Sequence, residues 1–316
     1  MQQFVNFFTN LFSSASSEAY NINTLFLRYM ILAGFIVLLV TSLVIIGAFK
    51  YRAKKNTKEP EQVFGNQKLE LTWTVLPLLA VTFFFFLTVK TMSEINRPFQ
   101  KNEKPDIVII AHQWWWDMRY PKYNVETANE LHIPVGKNLL TRIESADVIH
   151  DWWVPELGRK IDAVPGRINY TWIDADKPGV YSGTCSEYCG AQHAWMRIRV
   201  VAESQNDFNN WIKAQQKIPS FPKDSTAIKG AELFQTKTCA NCHYISGTPA
   251  DASIGPNLTH FASRKTMLSG MLTNTDKNLK RWLKDPQKVK RGAHMPDFLL
   301  SKKEVNELAS YIEGLK

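Results

Sequence analysis

Two uncharged and strongly apolar stretches near the start of the chain constrain its fold more than any other feature. Residues 29–49 are 21 consecutive positions without a charge, and residues 71–89 add 19 more. As helices rising about 1.5 Å per residue, both are long enough to cross a hydrocarbon core about 30 Å thick. A cleaved signal peptide would begin with basic residues, whereas residues 1–27 contain no Lys or Arg. The sequence therefore predicts a membrane region, residues 1–104, with two spans at about 29–49 and 71–89.

The segment that joins the two spans is basic. Its six Lys and Arg residues are Lys50, Arg52, Lys54, Lys55, Lys58 and Lys68. Because positive charge marks cytoplasmic loops, both termini and all residues after the second span are expected on the outer side of the membrane. Glu70 immediately precedes the second span, where a carboxylate is either an ordinary interfacial charge or part of a proton path.

Residues 105–203 have the pattern of an all-β domain. Short stretches rich in β-branched residues alternate with turn signals such as Pro165-Gly166 and Pro178-Gly179. The stretches are residues 107–110, 139–143, 169–173 and 197–201. Several strands at this spacing favour a sandwich or a barrel.

The distribution of charge bears on the kind of partner. The whole chain has a net charge of +9, but residues 105–203 contain 10 Lys and Arg against 13 Asp and Glu, a net charge of −3. An acidic middle domain between basic ends argues against one continuous phosphate-binding surface. No nucleic-acid partner is therefore predicted.

Two thiols, an imidazole and a thioether fall within a short stretch near the end of the β domain, at Cys185, Cys189, His193 and Met196. Two cysteines four residues apart would by themselves suggest a disulfide outside the membrane. Sulfur with imidazole selects copper, or zinc or iron–sulfur when four ligands close a tetrahedron. A thioether is a weak axial ligand of copper but a poor ligand of zinc, so the four residues together predict a copper site.

A further ligand of this site is expected from a neighbouring loop. His150 is the best candidate because it follows an apolar strand and opens a turn, and His112 and His132 are the alternatives. Two thiolates, two histidines, one methionine and one backbone carbonyl would supply a pair of coppers rather than one.

The second redox motif is Cys239-Ala-Asn-Cys242-His243. It has the C-x-x-C-H spacing of covalent c-type haem attachment, in which both thiols bond the haem and the histidine binds the iron. A zinc site would need two more ligands and a thioredoxin-like site a βαβ context, and the sequence around the motif offers neither. A methionine is expected as the sixth ligand of the iron.

Three methionines follow the haem motif. Met295 precedes Pro296 in a loop between helical segments, as a ligand loop requires. Met267 and Met271 are four residues apart on an expected helix face, where core packing is the better explanation. His260 and His294 are expected to be ordinary polar residues.

The end of the chain predicts a small helical domain, residues 223–316, after a linker region, residues 204–222, that includes a short amphipathic helix. Ser301-Lys-Lys-Glu304 has the form of a capping box. Four apolar residues then fall on one helical stripe: Val305, Leu308, Ile312 and Leu315.

Taken together, these motifs resemble a known family. Residues 25–203 are similar to subunit II of haem–copper cytochrome c oxidases, which has a transmembrane hairpin and a cupredoxin domain of Greek-key topology. Besides the cysteine loop, the motifs that carry the resemblance are Leu69-Glu-Leu-Thr-Trp-Thr-Val-Leu-Pro77, His112-Gln-Trp114-Trp-Trp116, His150-Asp-Trp-Trp-Val-Pro155 and Asp162-Ala-Val-Pro-Gly-Arg167. Residues 223–316 resemble a class I cytochrome c, an all-α domain. The order of the three parts is that of subunit II in caa-type bacterial oxidases.

The resemblance implies a dinuclear Cu(A) centre. Cys185 and Cys189 would bridge the two coppers, and His150 and His193 would each bind one copper. Met196 and the backbone carbonyl of Glu187 would be weak axial ligands. The side chain of Glu187 would also reach a magnesium site shared with subunit I.

The resemblance also implies two roles outside the metal centres. Trp114 would be the tryptophan through which electrons reach the copper, and Glu70 would be the carboxylate at the mouth of a proton channel. Where the family commonly has Trp-Tyr-Trp, this chain has Trp114-Trp115-Trp116. The change would alter the surface that an external donor meets, and Trp115 is expected to serve in packing.

The function implied is that of an electron-transfer subunit. Haem c would accept electrons from a donor cytochrome or a quinol-oxidising complex and pass them through Cu(A) to the haems of catalytic subunit I, which reduces oxygen and pumps protons. Neither span contains a histidine that could hold the oxygen-reducing site. Partners would be subunit I, other oxidase subunits and membrane lipids. The chain would cross the bacterial inner membrane with its copper and haem domains outside.

Three other functions remain open on the sequence alone. A nitric-oxide-reducing haem–copper enzyme could use a similar Cu(A) subunit. Nitrous oxide reductase shares the copper motif but places it after a large propeller. A copper-delivery protein would share the cysteine pair, but it would lack Met196 at this offset and the haem motif.

A basic segment precedes Met295. It contains one acid, Asp285, and six basic residues: Lys280, Arg281, Lys284, Lys288, Lys290 and Arg291. Opposite charge on the β domain and the tether between the two domains favour docking of this segment near Trp114. The alternatives are a solvated helix face or a patch that binds anionic lipid.

Overall fold

The computed structural model describes residues 13–52, 62, 64–99, 103–221 and 224–316. The chain divides into two compact units, of which one is residues 20–98 and the other combines residues 1–19 with residues 99–316. Lys54, Lys55 and Lys58 of the basic connection lie outside the described residues.

Two long helices make up the N-terminal region. They are α1 (Ser17–Lys50) and α2 (Gln67–Ile95), and they contain the two predicted spans. Most of their apolar side chains are exposed, as expected of surfaces that face lipid. The ring of Tyr29 stacks on Phe84 with the centroids 4.2 Å apart, and its hydroxyl lies 3.0 Å from Oγ1 of Thr88. The prediction of two membrane-type helices is confirmed.

Helix α2 begins with a reciprocal cap that involves Glu70. Oδ1 of Asn66 accepts a hydrogen bond from the backbone N–H of Leu69 at 3.2 Å. Oε1 of Glu70 accepts one from the backbone N–H of Asn66, also at 3.2 Å. Glu70 therefore has a structural contact in the first turn of the helix, independent of any proton path.

The predicted β domain is a sandwich of two five-stranded sheets. Its strands are β1 (Ile107–His112), β2 (Trp115–Tyr120), β3 (Val125–Ala128), β4 (Glu130–Pro134), β5 (Leu139–Ser145), β6 (His150–Trp153), β7 (Ile161–Ala163), β8 (Asn169–Ile173), β9 (Gly179–Cys185) and β10 (Arg197–Glu203). The sheets have the orders β3-β2-β1-β5-β8 and β4-β10-β9-β6-β7. Pairs β1–β5 and β4–β10 are parallel, and the other pairs are antiparallel. Each stretch predicted as a strand lies within a strand.

The core of this sandwich domain follows from strand alternation. In β1 every second residue is buried, including Ile107 and Ile109. Trp116, Met118 and Val200 add fully buried side chains from both sheets. Burial of several large apolar side chains, each contributing about 1.5–3 kcal/mol, gives the rigid framework that positions the loops at its end.

The short helix predicted after the β domain is present as α3 (Gln205–Gln215). It buries Phe208 and Ile212 in the same core as the sandwich. Residues 13–19, which include the first residues of α1, also pack on this domain. Ser16 Oγ donates to the carbonyl oxygen of Leu157 at 2.8 Å, and the buried carboxylate of Glu18 pairs with Arg159 at 3.1 Å.

Residues 224–316 form the helical domain. Its elements are α4 (Ser225–Thr236), β11 (Thr266–Met267), β12 (Leu272–Thr273), α5 (Asp276–Lys284), α6 (Pro286–Val289) and α7 (Lys302–Glu313). The predicted capping box is confirmed, because Ser301 Oγ accepts from the N–H of Glu304 at 3.2 Å and Glu304 Oε2 accepts from the N–H of Ser301 at 2.7 Å. The predicted apolar stripe of α7 is buried throughout.

Helices α4 and α7 cross at Gly230. A Cβ atom added at Gly230 would lie 2.0 Å from the carbonyl oxygen of Glu307 and 2.8 Å from Cβ of Tyr311. No side chain fits between the two backbones, so glycine is required for the helices to approach this closely.

The expectation that Met267 and Met271 share a helix face is wrong. Met267 lies in β11, and Met271 lies in the turn that leads to β12. Three consecutive residues of this turn, Leu268, Ser269 and Gly270, have positive φ angles of 56°, 57° and 75°. The backbone therefore reverses as a tight hairpin, which a helical spacing of two methionines does not reveal.

Candidate functional site

The cysteine loop lies at one end of the sandwich domain, where three elements meet. Cys185 ends β9, and Met196 directly precedes β10. Strand β6 pairs with β9 so that Trp152 lies opposite Cys185. This pairing brings His150, the first residue of β6, to the cysteines and explains why a residue 35 positions away joins the site.

Six donor atoms converge at this point. Sγ of Cys185 and Sγ of Cys189 are 3.8 Å apart. Cys185 Sγ lies 3.8 Å from Nδ1 of His150 and 3.2 Å from the carbonyl oxygen of Glu187. Cys189 Sγ lies 3.6 Å from Nδ1 of His193 and 3.9 Å from Sδ of Met196.

These separations fit a soft metal. Two donors bound to one metal at about 2.3 Å with a tetrahedral angle lie roughly 3.8 Å apart. Both cysteines are free thiols, and with His150 they form a buried cluster of potential metal ligands. The donor set contains a thioether and a carbonyl besides sulfur and nitrogen, which matches copper better than structural zinc.

The ligand atoms are oriented by a second set of contacts. His150 is completely buried, and its Nε2 lies 2.8 Å from Oδ1 of Asp147. The other oxygen of Asp147 accepts the backbone N–H of Gln113 at 2.6 Å. A carboxylate on one ring nitrogen fixes the tautomer and turns the other nitrogen toward the metal position.

The thiol pair is already polarised. The hydrogen bond with the Cys189 thiol, helped by His150, lowers the pKa of Cys185 against the opposing effect of burial. The neighbouring Cys185 thiolate, together with burial, raises the pKa of Cys189. A bound cation would favour the thiolate form of both cysteines.

The two alternative histidines lie elsewhere. His132 pairs with Glu203 at 3.0 Å and stacks on Trp211. His112 stacks on Trp115 with the ring centroids 4.3 Å apart. Neither belongs to the cluster formed by His150 and the cysteines. The side chain of Glu187 is exposed, so its carboxylate is available to a neighbouring subunit.

The helical domain encloses an apolar cavity lined by the haem-attachment motif. Cys239, Cys242 and His243 line one part of it. Aromatic and aliphatic side chains from every helix of the domain except α6 complete the lining: Phe234, Leu279, Trp282, Leu283, Leu308 and Ile312. Two thiols and an imidazole around an apolar cavity match the requirements of a covalent haem.

His243 is prepared to bind iron. Its Nδ1 donates to the carbonyl oxygen of Pro256 at 2.8 Å, which leaves Nε2 as the free donor atom. Burial lowers the pKa of His243, so the imidazole is neutral at physiological pH, as a metal ligand must be.

Two of the three candidate methionines reach the cavity. Met295 and Met267 both line it. The loop that carries Met295 is held by Gln287, whose amide donates to the carbonyl oxygens of Ala293 and Met295 at 2.8 and 3.0 Å. His260 takes part in hydrogen bonds to the backbone of residues 215 and 217, as expected of an ordinary polar residue.

Trp114 lies between the two candidate sites. Its Nε1 donates to the carbonyl oxygen of Cys189 at 2.9 Å. On the other side, Trp114 and Trp115 line the cavity of the helical domain, and the Trp114 ring lies 4.9 Å from the ring of His294. His294 therefore takes part in the contact between the two domains, which the sequence did not predict.

The basic segment makes a smaller contribution to this contact than its charge suggests. Lys290 Nζ donates to the carbonyl oxygen of Trp114 at 3.2 Å. Lys280 instead pairs with Asp276, and Lys284 donates to the backbone of Leu300. Lys290 lies at Trp114, as expected of the segment, but it contacts Trp114 as a single buried amine and not as part of a charged surface.

Four contributing residues were not found from the sequence. Asp147 and Gln113 support the cysteine loop, and each lies close in sequence to a residue that was found. Glu130 and Ser269 contact across the two domains, and their separation along the chain leaves no local signal.

Three family models match the chain. The transmembrane domain of cytochrome c oxidase subunit II matches residues 5–90, its periplasmic domain matches residues 123–203, and cytochrome c matches residues 227–316. These matches confirm the order of a helical hairpin, a cupredoxin-like sandwich and a cytochrome c domain. They describe a membrane protein with a periplasmic domain.

Curated relatives match most of the chain. Cytochrome c oxidase subunit 2 of Alkalihalophilus pseudofirmus OF4 is 35% identical over 89% of this chain and 84% of the relative. The subunit of Bacillus subtilis 168 is 31% identical over 95% of this chain and 89% of the relative. The crystal structure of the periplasmic domain of subunit II from Bradyrhizobium japonicum is 35% identical, covers 36% of this chain and 96% of that chain, and has a TM-score of 0.35. The identity and coverage of the curated relatives show that the chain belongs to the cytochrome c oxidase subunit 2 family, in a form that ends in a cytochrome c domain.

Proposed function

We propose that this chain relays electrons from a covalent haem c to a dinuclear Cu(A) centre and then to the catalytic subunit of a proton-translocating oxidase. When bound, haem c and Cu(A) each supply reversible one-electron transfer. The observation that carries the proposal is the position of Trp114, which is hydrogen-bonded to the cysteine loop and also lines the cavity of the helical domain.

The copper ligands follow from the six donor atoms described above. Cys185 and Cys189 would bridge two coppers, and His150 and His193 would each complete the coordination of one copper. Met196 and the carbonyl of Glu187 would be the weak ligands. The support is that each sulfur has one imidazole and one weak donor on its own side, so the set divides into two similar halves.

The haem would be bonded by Cys239 and Cys242 and held through iron by His243 and Met295. The free Nε2 of His243 and the anchored loop of Met295 support this assignment. Met267 lines the same cavity but belongs to a β-strand that pairs with β12. Met295 lies in a loop, and a loop can adjust its position toward the iron more easily than a paired strand can.

As a cytochrome c oxidase subunit II, the chain functions beside subunit I and other oxidase subunits. We place it in the bacterial inner membrane with both soluble domains on the periplasmic side. Residues 13–19 contact the sandwich domain, which supports a start of the chain on that same side. A cytochrome or quinol-oxidising complex would be the donor, and membrane lipids would surround the two spans.

Two carboxylates are assigned to the interface with subunit I. The exposed side chain of Glu187 would reach a shared magnesium ion. The backbone carbonyl of the same residue faces the cysteines, so the two groups can serve different metals. Glu70 would lie at the mouth of a proton channel while it caps the start of α2. Removing either carboxylate should therefore leave the copper and haem content of the chain unchanged.

The experiment that tests the proposed function is metal and spectroscopic analysis of the purified assembly. In addition to the metals of the catalytic subunit, we expect two coppers and one haem c iron for each copy of this chain. We also expect copurification with a large membrane subunit, near-infrared absorption, and an EPR signal from one electron shared by two copper nuclei. A single copper, or copper with the EPR signal of an isolated ion, would contradict the dinuclear centre.

Met295→His is expected to lower the reduction potential of the haem while leaving it covalently attached. Imidazole is a stronger donor than a thioether, so it stabilises the ferric state. The expected change is on the order of 0.1–0.3 V, within the range of about 0.8 V that axial ligands cover. Redox titration measures the change. An unaltered potential with an intact thioether–iron band would transfer the assignment to Met267.

A further inference from the structure

Two segments of the helical domain contact the sandwich domain around Trp114, apart from the contact of His260 with the end of α3. One is the β11–β12 hairpin with the residue before it, and the other is the loop after α6. Trp114 keeps 8% of its surface exposed, and Asn129 beside it keeps 9%. Both segments make polar contacts with this part of the sandwich domain. The contacts of Ser269 and Lys290 are buried, and those to Glu130 are partly buried.

Glu130 provides the largest of these contacts. Its side chain is only 4% exposed, and its carboxylate accepts three hydrogen bonds from the hairpin. They come from the N–H of Lys265 at 3.1 Å, the N–H of Thr266 at 2.8 Å and Oγ1 of Thr266 at 2.6 Å. Hydrogen bonds to an ionised carboxylate are roughly twice as strong as neutral ones. Within its own domain Glu130 also faces Arg199, with Nε at 3.5 Å.

Two further donors share the carbonyl oxygen of Trp114. Ser269 Oγ donates to it at 2.7 Å from the hairpin, and Lys290 Nζ donates at 3.2 Å from the loop after α6. Lys290 is only 6% exposed. Burial lowers the pKa of Lys290 to about 8, so the amine is still charged at neutral pH. A buried cation stays in place only if its partner does, because an unpaired buried charge is costly.

We propose that Glu130, Ser269 and Lys290 form a latch that holds the helical domain permanently on Trp114, so that the haem domain is a captive donor and other carriers cannot use the Trp114 surface. This inference rests on the proposed function, in which Trp114 serves the copper centre. The latch joins two segments of the helical domain to two adjacent sites on the sandwich domain. It therefore fixes the orientation of the helical domain as well as holding it in place.

A latch of buried hydrogen bonds predicts a different behaviour from docking by surface charge. Charge pairs in water are screened within about 8 Å at physiological ionic strength, so charge-driven docking weakens as salt is added. Buried hydrogen bonds are screened much less. In the unmodified protein, transfer between the two centres should therefore depend on neither ionic strength nor solvent viscosity.

The test uses the assembled oxidase with single variants Glu130→Gln and Lys290→Met. The matched controls are Glu126→Gln, on β3, the preceding strand in the chain, and Lys288→Met, an exposed lysine two residues before Lys290. Hydrogen exchange of the peptide that covers residues 264–272 measures how often the hydrogen bonds of the β11–β12 hairpin open. The Glu130→Gln variant should exchange this peptide at least tenfold faster, since it loses charge-assisted hydrogen bonds. The controls should exchange at the unmodified rate.

A kinetic measurement complements hydrogen exchange. After flash reduction of the haem, transfer to copper should slow with added viscogen in both latch variants and in neither control, because an unlatched domain must find its partner by diffusion. A reduced soluble cytochrome should then reduce copper in the variants without prior reduction of haem c. Ser269→Ala, which removes one hydroxyl, should show the same changes to a smaller degree if either larger substitution impairs folding.

The outcomes separate the latch from the proposed function. If the variants keep both the slow exchange and the viscosity-independent transfer of the unmodified protein, the latch is wrong while the relay stands. If the unmodified protein shows no transfer between haem and copper, the relay is wrong, and the exchange measurement still decides whether the domains are latched.

Discussion

Replacing either Cys185 or Cys189 with serine is expected to abolish the dinuclear copper centre and leave at most one copper per chain. The two Sγ atoms are 3.8 Å apart and each has its own imidazole, and in the proposed centre both sulfurs would be ligands of both coppers. A serine hydroxyl is neither ionised at neutral pH nor a soft ligand, and therefore does not replace a bridging thiolate. Copper analysis, near-infrared absorption and EPR measure the loss.

The control for this substitution is Ser182→Ala, on the same strand as Cys185 but exposed. It should keep two coppers and the mixed-valence signal. Either cysteine variant with two coppers and an unaltered signal would show that the ligand assignment is wrong. The haem should be unaffected in all three variants, because its attachment residues lie in the helical domain.

Gly230→Ala is expected to destabilise the helical domain by about 3 kcal/mol or more, despite the higher helix propensity of alanine. Propensity alone would favour alanine by about 1 kcal/mol. The added Cβ would lie 2.0 Å from the carbonyl oxygen of Glu307, which belongs to the backbone of α7 and cannot turn away. The α4–α7 crossing must therefore open, and the domain loses its packing.

Denaturant unfolding followed at the haem band measures this effect. Glu232→Ala is the matched control, since Glu232 is exposed on the same helix. It should leave the free energy of unfolding of the domain within about 0.5 kcal/mol. The copper signal should persist in Gly230→Ala at denaturant concentrations where the haem band is lost. Equal stability of the glycine and alanine proteins would contradict the close crossing of the two helices.

The sequence predicts those features of the protein that depend on residues close together in the chain. Cys185, Cys189, His193 and Met196 fall within one loop, and their spacing alone brought them together as ligands. The prediction of the two spans depends only on the length and the low polarity of two continuous stretches. Each of these features survives in the structure because it does not depend on how distant segments pair.

The choice of His150 depended on more than spacing. His112 and His150 follow predicted strands and His132 lies in the observed strand β4, and the pairing of β6 with β9 decides among them. Register is a property of two strands together, so one strand's sequence does not contain it. The same limit applies to Gly230, whose importance appears only when α4 meets α7.

The sequence predicted where the two soluble domains contact each other, but it did not predict which interactions hold them together. Charge patterning pointed to the whole basic segment, residues 280–291, whereas in the structure the side chain of Lys290 is the one that contacts Trp114. Glu130 and Ser269 lie more than one hundred residues from their partners across the contact, at 136 and 155 positions. Charge can be summed along a sequence, whereas burial and direction of individual hydrogen bonds arise only from the folded arrangement.

Flash reduction of haem c in the unmodified oxidase, with copper and haem followed together, measures electron transfer within the chain itself. If the chain is an internal relay, oxidation of the haem and reduction of copper will share one time constant, and that constant will not change with protein concentration. Haem oxidation without any copper response, or a rate that rises in proportion to protein concentration, would contradict the relay.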